Sequence, residues 1–284
     1  MFDWISKMLE LWHAEDAGGE LDVGVVRDKC EEQELVNTSG YIHIVPRGHG
    51  MLITGAMKTY YVTIKQVLDN DLKTGDYVEA KTDGQDVRKI TKVDHTGFDD
   101  AKAVRPHKVQ KMGGVEFKLG SRVILQGVDF VDFVGKHGGQ IAGAHKIALL
   151  IDQGLDCVDF LVAGGIKEVY LADVALTAKK KVLLALSTLL AAKRSSAGGE
   201  DVILFVDNLN KLFKLYNSSM FENYVEVTQL HHGCHADLKS FFMQAKQTDD
   251  KGSLTIITHL REASSELEKY ALDDFFDFCS VIKI

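Results

Sequence analysis

Proline is nearly missing from this chain: only Pro46 and Pro106 occur in 284 residues. That scarcity excludes long disordered Pro-rich linkers. Cysteine is sparse as well. Cys30, Cys157, Cys234 and Cys279 lie far apart and form no CxxC pair, which argues against a disulfide framework and suits a reducing cytosol. No apolar run reaches the roughly 20 residues needed to cross a bilayer. The opening MFDWISKMLELWHAED lacks a basic n-region, and acidic residues interrupt its apolar positions, unlike a signal peptide. The expectation is a cytoplasmic protein with no membrane partner. An excess of basic residues is also lacking, since the net charge is −8. Proteins that wrap duplex DNA draw affinity from neutralising phosphates and are usually basic, so any nucleic-acid site here must be local or weak. No internal repeat with a period of roughly 20–50 residues is visible.

What is present reads as a folded protein, with 45% hydrophobic and 26% charged residues, long enough for two compact domains. Phe2, Ile5, Met8, Leu9 and Trp12 recur at helical spacing and predict an amphipathic helix over residues 2–13, within an N-terminal helical segment 1–37. Such a stripe packs on its own domain or docks on a partner or a membrane surface. From Gly40 the pattern turns to short strands: Tyr41–Val45, Met51–Thr54, Tyr60–Thr63, then Tyr77–Lys81 and Val87–Val93. A brief helix, Ile64–Leu72, and a Thr74-Gly75-Asp76 turn lie between the two groups. This set predicts a small Greek-key barrel of the oligonucleotide-binding kind over residues 38–108. Beyond it, strand-like runs at Cys157–Ala163, Glu168–Ala172, Val202–Asp207, Leu254–Thr258 and Cys279–Ile284 alternate with helical stretches near 144–153, 175–194, 208–216, 235–247 and 262–271. That alternation predicts an α/β domain over 109–284 with parallel strands and covering helices.

Several stretches, in order, resemble the Rho transcription termination factor family. SGYIHIVPRGHGMLI is similar to the first hairpin of that family's RNA-binding barrel, and LKTGDYVEAK with VRKITKVD to its closing strands. DVILFVDNLNKLFKLYN resembles the strand ending in the Walker B aspartate, and FFMQAKQTDDKGSLTIIT the helix and strand after the second RNA loop. The resemblance covers residues 38–284 and implies a barrel followed by a RecA-like P-loop domain. It also implies ATP and magnesium as cofactors, single-stranded RNA as a partner, and a hexameric ring that translocates on RNA.

Position by position, the motor parts depart from that pattern. Aligning AHKI with the family's AGKT places His145 at the glycine, Lys146 at the lysine and Ile147 at the hydroxyl. A ring then stands where bare backbone should curl around phosphate, and no hydroxyl remains for magnesium. Lys146 is either a remnant phosphate contact or a solvated helix lysine. Asp207, at its strand end, is either a metal-directed carboxylate or a cap for the next helix. The family's water-activating glutamate follows a sheet strand in a DERPEE segment. With that strand set at Asp159–Ala163, running into Gly164-Gly165-Ile166-Lys167, the base is missing, and Glu168 is a poor substitute. Lys246 aligns with the arginine that each subunit gives its neighbour. Lysine keeps the charge and loses the planar fork, in a role worth roughly 10³–10⁵ in rate.

The RNA-binding parts are altered too. The family's GFGFL hairpin reads Gly48-His49-Gly50-Met51-Leu52 here, so His49 and Met51 stand where two stacking rings are expected. Tyr60, Tyr61 and Tyr77 are alternative platforms or barrel core, and Arg47, Arg88 and Lys108 are among the cations facing either RNA or plain solvent. The family's KGTG channel run becomes Phe276-Asp277-Phe278-Cys279, an acidic-aromatic patch that opposes RNA and suits either a protein partner or the core. His231-His232-Gly233-Cys234-His235 is either a loop leading into a helix or a zinc- or copper-type cluster of unusual spacing.

The sequence therefore predicts a Rho-like binder with residual, weak RNA recognition and no ATPase. It would act as a regulator or scaffold that contacts Rho or transcription proteins, without cofactor or resident metal, and its hexamer is doubtful. The rivals are a divergent but active RNA-dependent ATPase and a pure protein-interaction module.

Overall fold

A computed structural model describes residues 35–44, 48–95, 102–106, 108–219, 232–249, 251–263 and 266–284. The amphipathic stretch 2–13, Arg47 and His231 lie outside the described residues. The chain divides into two units, Met1–His95 and Thr96–Ile284.

In the first unit, β1 (Val36–Ile44), β2 (Gly50–Thr54), β3 (Thr59–Val62), β4 (Tyr77–Asp83) and β5 (Asp86–Asp94) close into a barrel in the order β1-β2-β3-β5-β4. Closure depends on β1, which pairs with β2 and with β4; Gly40 registers with both Thr54 and Val78. A Cβ at Gly40 would lie 2.1 Å from the Ile53 carbonyl oxygen, so only glycine permits so close an approach. Alternation along the strands sends Ile42, Leu52, Val62, Val78, Ala80 and Val87 to a common core, where burying a Val, Leu or Ile side chain contributes roughly 1.5–3 kcal/mol and the Ala80 methyl less. Helix α1 (Ile64–Asp69) starts from a capping box: the Gln66 N–H donates to Thr63 Oγ1, and the Thr63 N–H donates to Gln66 Oε1. It plugs the barrel with Val67.

The second unit carries β6 (Ala103–Val104), a hairpin of β7 (Val109–Met112) and β8 (Val115–Lys118), and β9 (Arg122–Gln126). It continues through α2 (Phe130–His137), β10 (Ala144–Ile151), α3 (Leu155–Ala163), β11 (Glu168–Ala172), α4 (Ala178–Ala197), β12 (Asp201–Val206) and α5 (Leu209–Ser219). After 231 come α6 (His232–Phe242), β13 (Lys246–Thr248), β14 (Ser253–His259), α7 (Glu266–Asp273) and β15 (Ser280–Lys283). The pairings run β11-β10-β12-β14-β9-β15, all parallel, while β13 and β6 pair antiparallel beside the start of β14. Val202 to Val206 are all buried, as expected of a strand covered on both faces.

Two elements are the reverse of the sequence expectation. Of residues 144–153, read as helical, Ala144–Ile151 form β10, and the strand-like Cys157–Ala163 belongs to α3. A continuous apolar run such as Ile147–Ile151 suits a buried helix or a buried strand equally well. The outcome is set by β11 and β12, which flank the run and take up its backbone groups on both sides. Gly154 and Asp156 open α3, where an acid favours the helix start.

Candidate functional site

Parallel strands put all their carboxyl ends on one edge of the sheet, and in such sheets ligands bind in the crevice beyond those ends. Here the edge gathers residues 127–129 after β9, 152–154 after β10, Asp207 and Asn208 after β12, and Leu260 and Arg261 after β14. Two strand-loop-helix connections face it: Gly127-Val128-Asp129 into α2 and Asp152-Gln153-Gly154 into α3. Neither contains the lysine and the Ser/Thr hydroxyl that a phosphate loop needs. At the first, Asp129 caps α2 by accepting from the Asp132 N–H at 3.0 Å, so a carboxylate already occupies the head of the helix where an anion would be drawn.

Asp207 is the centre of the edge. It is 2% exposed, and its Oδ2 accepts from Gln153 Nε2 at 3.0 Å and from Lys211 Nζ at 3.1 Å. The Ile151 N–H adds a long contact of 3.5 Å. Lys211 Nζ also donates to the Ile151 carbonyl at 2.6 Å. The helix-cap alternative for Asp207 falls to its neighbour, because Asn208 Oδ1 accepts the Lys211 N–H at 2.9 Å and starts α5. Beside this cluster Asp152, in a left-handed conformation at φ 53°, is ion-paired with the buried Lys181. On the other side of Asp207, His259 is buried and stacks on Phe130 with centroids 6.3 Å apart. Burial, and then the nearby Arg261, hold the His259 imidazole below its usual range.

The predicted phosphate stretch lies elsewhere. His145, Lys146 and Ile147 are in the first half of β10, about 13–20 Å of strand rise from Ile151. Lys146 donates to the Gly139 carbonyl at 3.3 Å. Desolvation, with Lys167 nearby, lowers its pKa. His145 sits between Glu168 at 2.9 Å and Glu200 at 3.1 Å, which also places Glu168 at the amino edge of the sheet. AHKI begins a strand rather than a helix, so its residues are not arranged as a phosphate loop. Lys246 begins β13, opposite Leu254 at the start of β14, so within the chain it too is at the amino edge.

On the barrel, His49 is half-buried and its ring lies 5.3 Å from that of Tyr61. Met51 is fully buried, so it has no face to offer a base; the expectation that it does is corrected by its place in a strand whose residues are all buried. Tyr60 packs against the barrel core, and the Tyr77 hydroxyl donates to Ser39 Oγ at 2.9 Å. Arg88 is exposed and paired with Asp83 at 2.9 Å, while Lys108, in the second unit, pairs with Asp201 at 3.0 Å.

The acidic-aromatic patch is divided. Phe275 is fully buried against Phe242 and His235. Phe278 is capped by Lys239 at 5.0 Å and Arg122 at 5.6 Å, and Phe276 is exposed. Cys234 is buried in α6 and donates weakly to the Phe213 carbonyl. Among the described residues no group of three His, Cys, Asp or Glu side chains could hold a metal. None of the helices in that set is long and apolar enough to cross a membrane. Sequence reasoning missed Gln153 and Lys211. A lysine four residues after a strand-end acid, at helical spacing, was the one available signal.

No family model matches the chain. It is similar to transcription termination factor Rho of Neisseria gonorrhoeae, with 26% identity over 336 aligned positions covering 95% of this chain and 78% of that protein. Rho of Haemophilus influenzae is 23% identical, over 88% of this chain and 71% of its own length. Rho of Cereibacter sphaeroides is 24% identical, with 94% and 76% covered. Among solved structures, a prototypical ATPase from the type III secretion system of pathogenic bacteria superposes with a TM-score of 0.52 at 16% identity. That match covers 72% of this chain and 65% of the ATPase, a likeness of fold alone.

Proposed function

We propose, from the premise that the chain is a distant relative of transcription termination factor Rho, that it binds single-stranded RNA weakly through its barrel and hydrolyses no ATP. It would serve as a regulatory or scaffolding binder alongside Rho or other transcription proteins. The observation that carries this reading is the crevice edge itself, where Asp207 is engaged by Gln153, Lys211 and the Ile151 amide. ATP with magnesium needs donors for its phosphates and free carboxylate or hydroxyl oxygens for its metal. The residues present do not fit that group. Both connecting loops lack the lysine and hydroxyl, Asp129 opposes an anion at α2, and Asp207 Oδ2 is already engaged by Gln153 and Lys211.

The hydrolytic base fares no better. With β10 recognised as a strand, the residues after it, Asp152-Gln153-Gly154, stand where the family carries DERPEE, and Gln153 takes the place of the glutamate. A carboxamide cannot accept a proton from water at neutral pH, and this one donates to Asp207 instead.

For RNA, the barrel order and the His49–Tyr61 ring pair support an oligonucleotide-binding fold with one reduced stacking platform. Stacking contributes about 1–3 kcal/mol per base, so fewer rings mean weaker and less selective binding. A ring whose subunits meet around nucleotide and RNA loses both sources of cohesion, so a hexamer is not expected. RNA-stimulated ATP turnover, assayed beside binding of a pyrimidine-rich oligonucleotide, tests the proposal. Binding without turnover supports it, and turnover at the rate of an ordinary Rho refutes it.

A further inference from the structure

We infer that Lys211 is a resident cation: its ammonium holds the Asp207 carboxylate where a divalent metal would otherwise be recruited, so the crevice is neutralised with no metal bound. This rests on the reading of the crevice as closed to nucleotide and says what closes it. The ammonium lies 3.1 Å from Asp207 Oδ2 and 2.6 Å from the Ile151 carbonyl oxygen. A carboxylate and a backbone carbonyl are the oxygen types that hard cations seek, and here one lysine bridges them. The position is built rather than accidental. Asn208 caps α5 through the Lys211 N–H, which sets the first turn and brings residue 211 back over residue 207. Gln153 adds a neutral donor to the same oxygen. The carboxylate is almost completely buried while the lysine side chain retains 28% exposure, so the charge on Asp207 is met from inside the fold. A second cation at these oxygens would stand within a few ångströms of the ammonium, where like charges repel strongly in a partly desolvated setting.

The test is manganese(II) binding, followed by electron paramagnetic resonance and by thermal unfolding, on the full chain and on Lys211→Ala and Lys211→Gln. The wild type should bind no manganese that depends on Asp207, and its unfolding temperature should not respond to the metal. Both variants should unfold at lower temperature without metal and regain stability as manganese is added, binding it at least tenfold tighter than the wild type. That gain should vanish in the Lys211→Ala/Asp207→Asn double variant. Folded single variants that gain no manganese response would overturn the inference. So would a wild type whose manganese binding is lost on Asp207→Asn, an arm that holds even if neither Lys211 variant folds. ATP turnover by the wild type would instead sink the functional reading, so the two failures are distinguishable.

Discussion

Replacing Asp207 by alanine removes the common acceptor of Gln153, Lys211 and the Ile151 amide, and the cost can be worked from the contacts. A hydrogen bond to a charged group contributes about 1.5–3 kcal/mol net. Removing one member of a buried ion pair costs about 3–5 kcal/mol, because the remaining charge is stranded. Lys211 keeps 28% of its side chain in solvent and can swing outward, so the lower end applies, about 3 kcal/mol. For a unit the size of Thr96–Ile284, each kcal/mol moves the midpoint by about 2–4 °C, so the expected fall is roughly 6–12 °C. Urea unfolding should show the same loss with an unchanged m-value. Asp207→Asn, which keeps the shape and one acceptor, should fall by less. An Asp207→Ala protein as stable as the wild type would refute the reasoning, since carboxylates kept free for a metal are commonly a burden on the fold rather than a support.

Other residues make separate predictions. His49→Ala should weaken binding of a pyrimidine-rich oligonucleotide by roughly 5–150-fold, the equivalent of one lost stacked base, as read by fluorescence anisotropy. Met51→Ala should leave that affinity unchanged among folded molecules while destabilising the chain by about 2–5 kcal/mol; a purely RNA-binding defect would show that Met51 reaches the ligand. Gly164→Ala should destabilise the second unit, because its Cβ would fall 2.1 Å from the Gly135 carbonyl oxygen where α2 and the end of α3 meet. Thermal unfolding with no change in midpoint would contradict that contact. Burial pushes the Asp237 carboxyl up to about 8. With the native state holding its proton more firmly than the unfolded chain, stability is fullest in acid and declines as pH rises toward that value. Asp237→Asn removes this dependence, so its advantage in midpoint over the wild type should grow from pH 5 to pH 8; a constant difference would count against a buried neutral acid.

Much of the architecture is legible from residue patterns alone. The run Tyr77–Lys81 reads as a barrel strand and the nearly all-apolar Val202–Asp207 as a parallel strand buried on both faces, and the observed strands are Tyr77–Asp83 and Asp201–Val206. Asp207 is likewise recognisable at its strand end. The failures share a cause. Ile147–Ile151 and Cys157–Ala163 are apolar runs whose local preference is undecided, and only pairing with β11 and β12 makes the first a strand. As a helix, residues 144–153 would put His145 and Lys146 at a phosphate site; as a strand, β10 carries them at its amino end and leaves Gln153 beyond its carboxyl end, beside Asp207. Asp207 needed tertiary partners to be understood. Neither reading weighed for it, metal ligand or helix cap, includes a glutamine 54 residues upstream.

Isothermal titration of ATP with magnesium into the full chain, in the presence of a pyrimidine-rich RNA, bears most directly on whether the crevice is filled by the protein's own side chains. The account predicts no saturable heat beyond that of the RNA alone. A stoichiometric, magnesium-dependent isotherm that disappears on Asp207→Asn would contradict it.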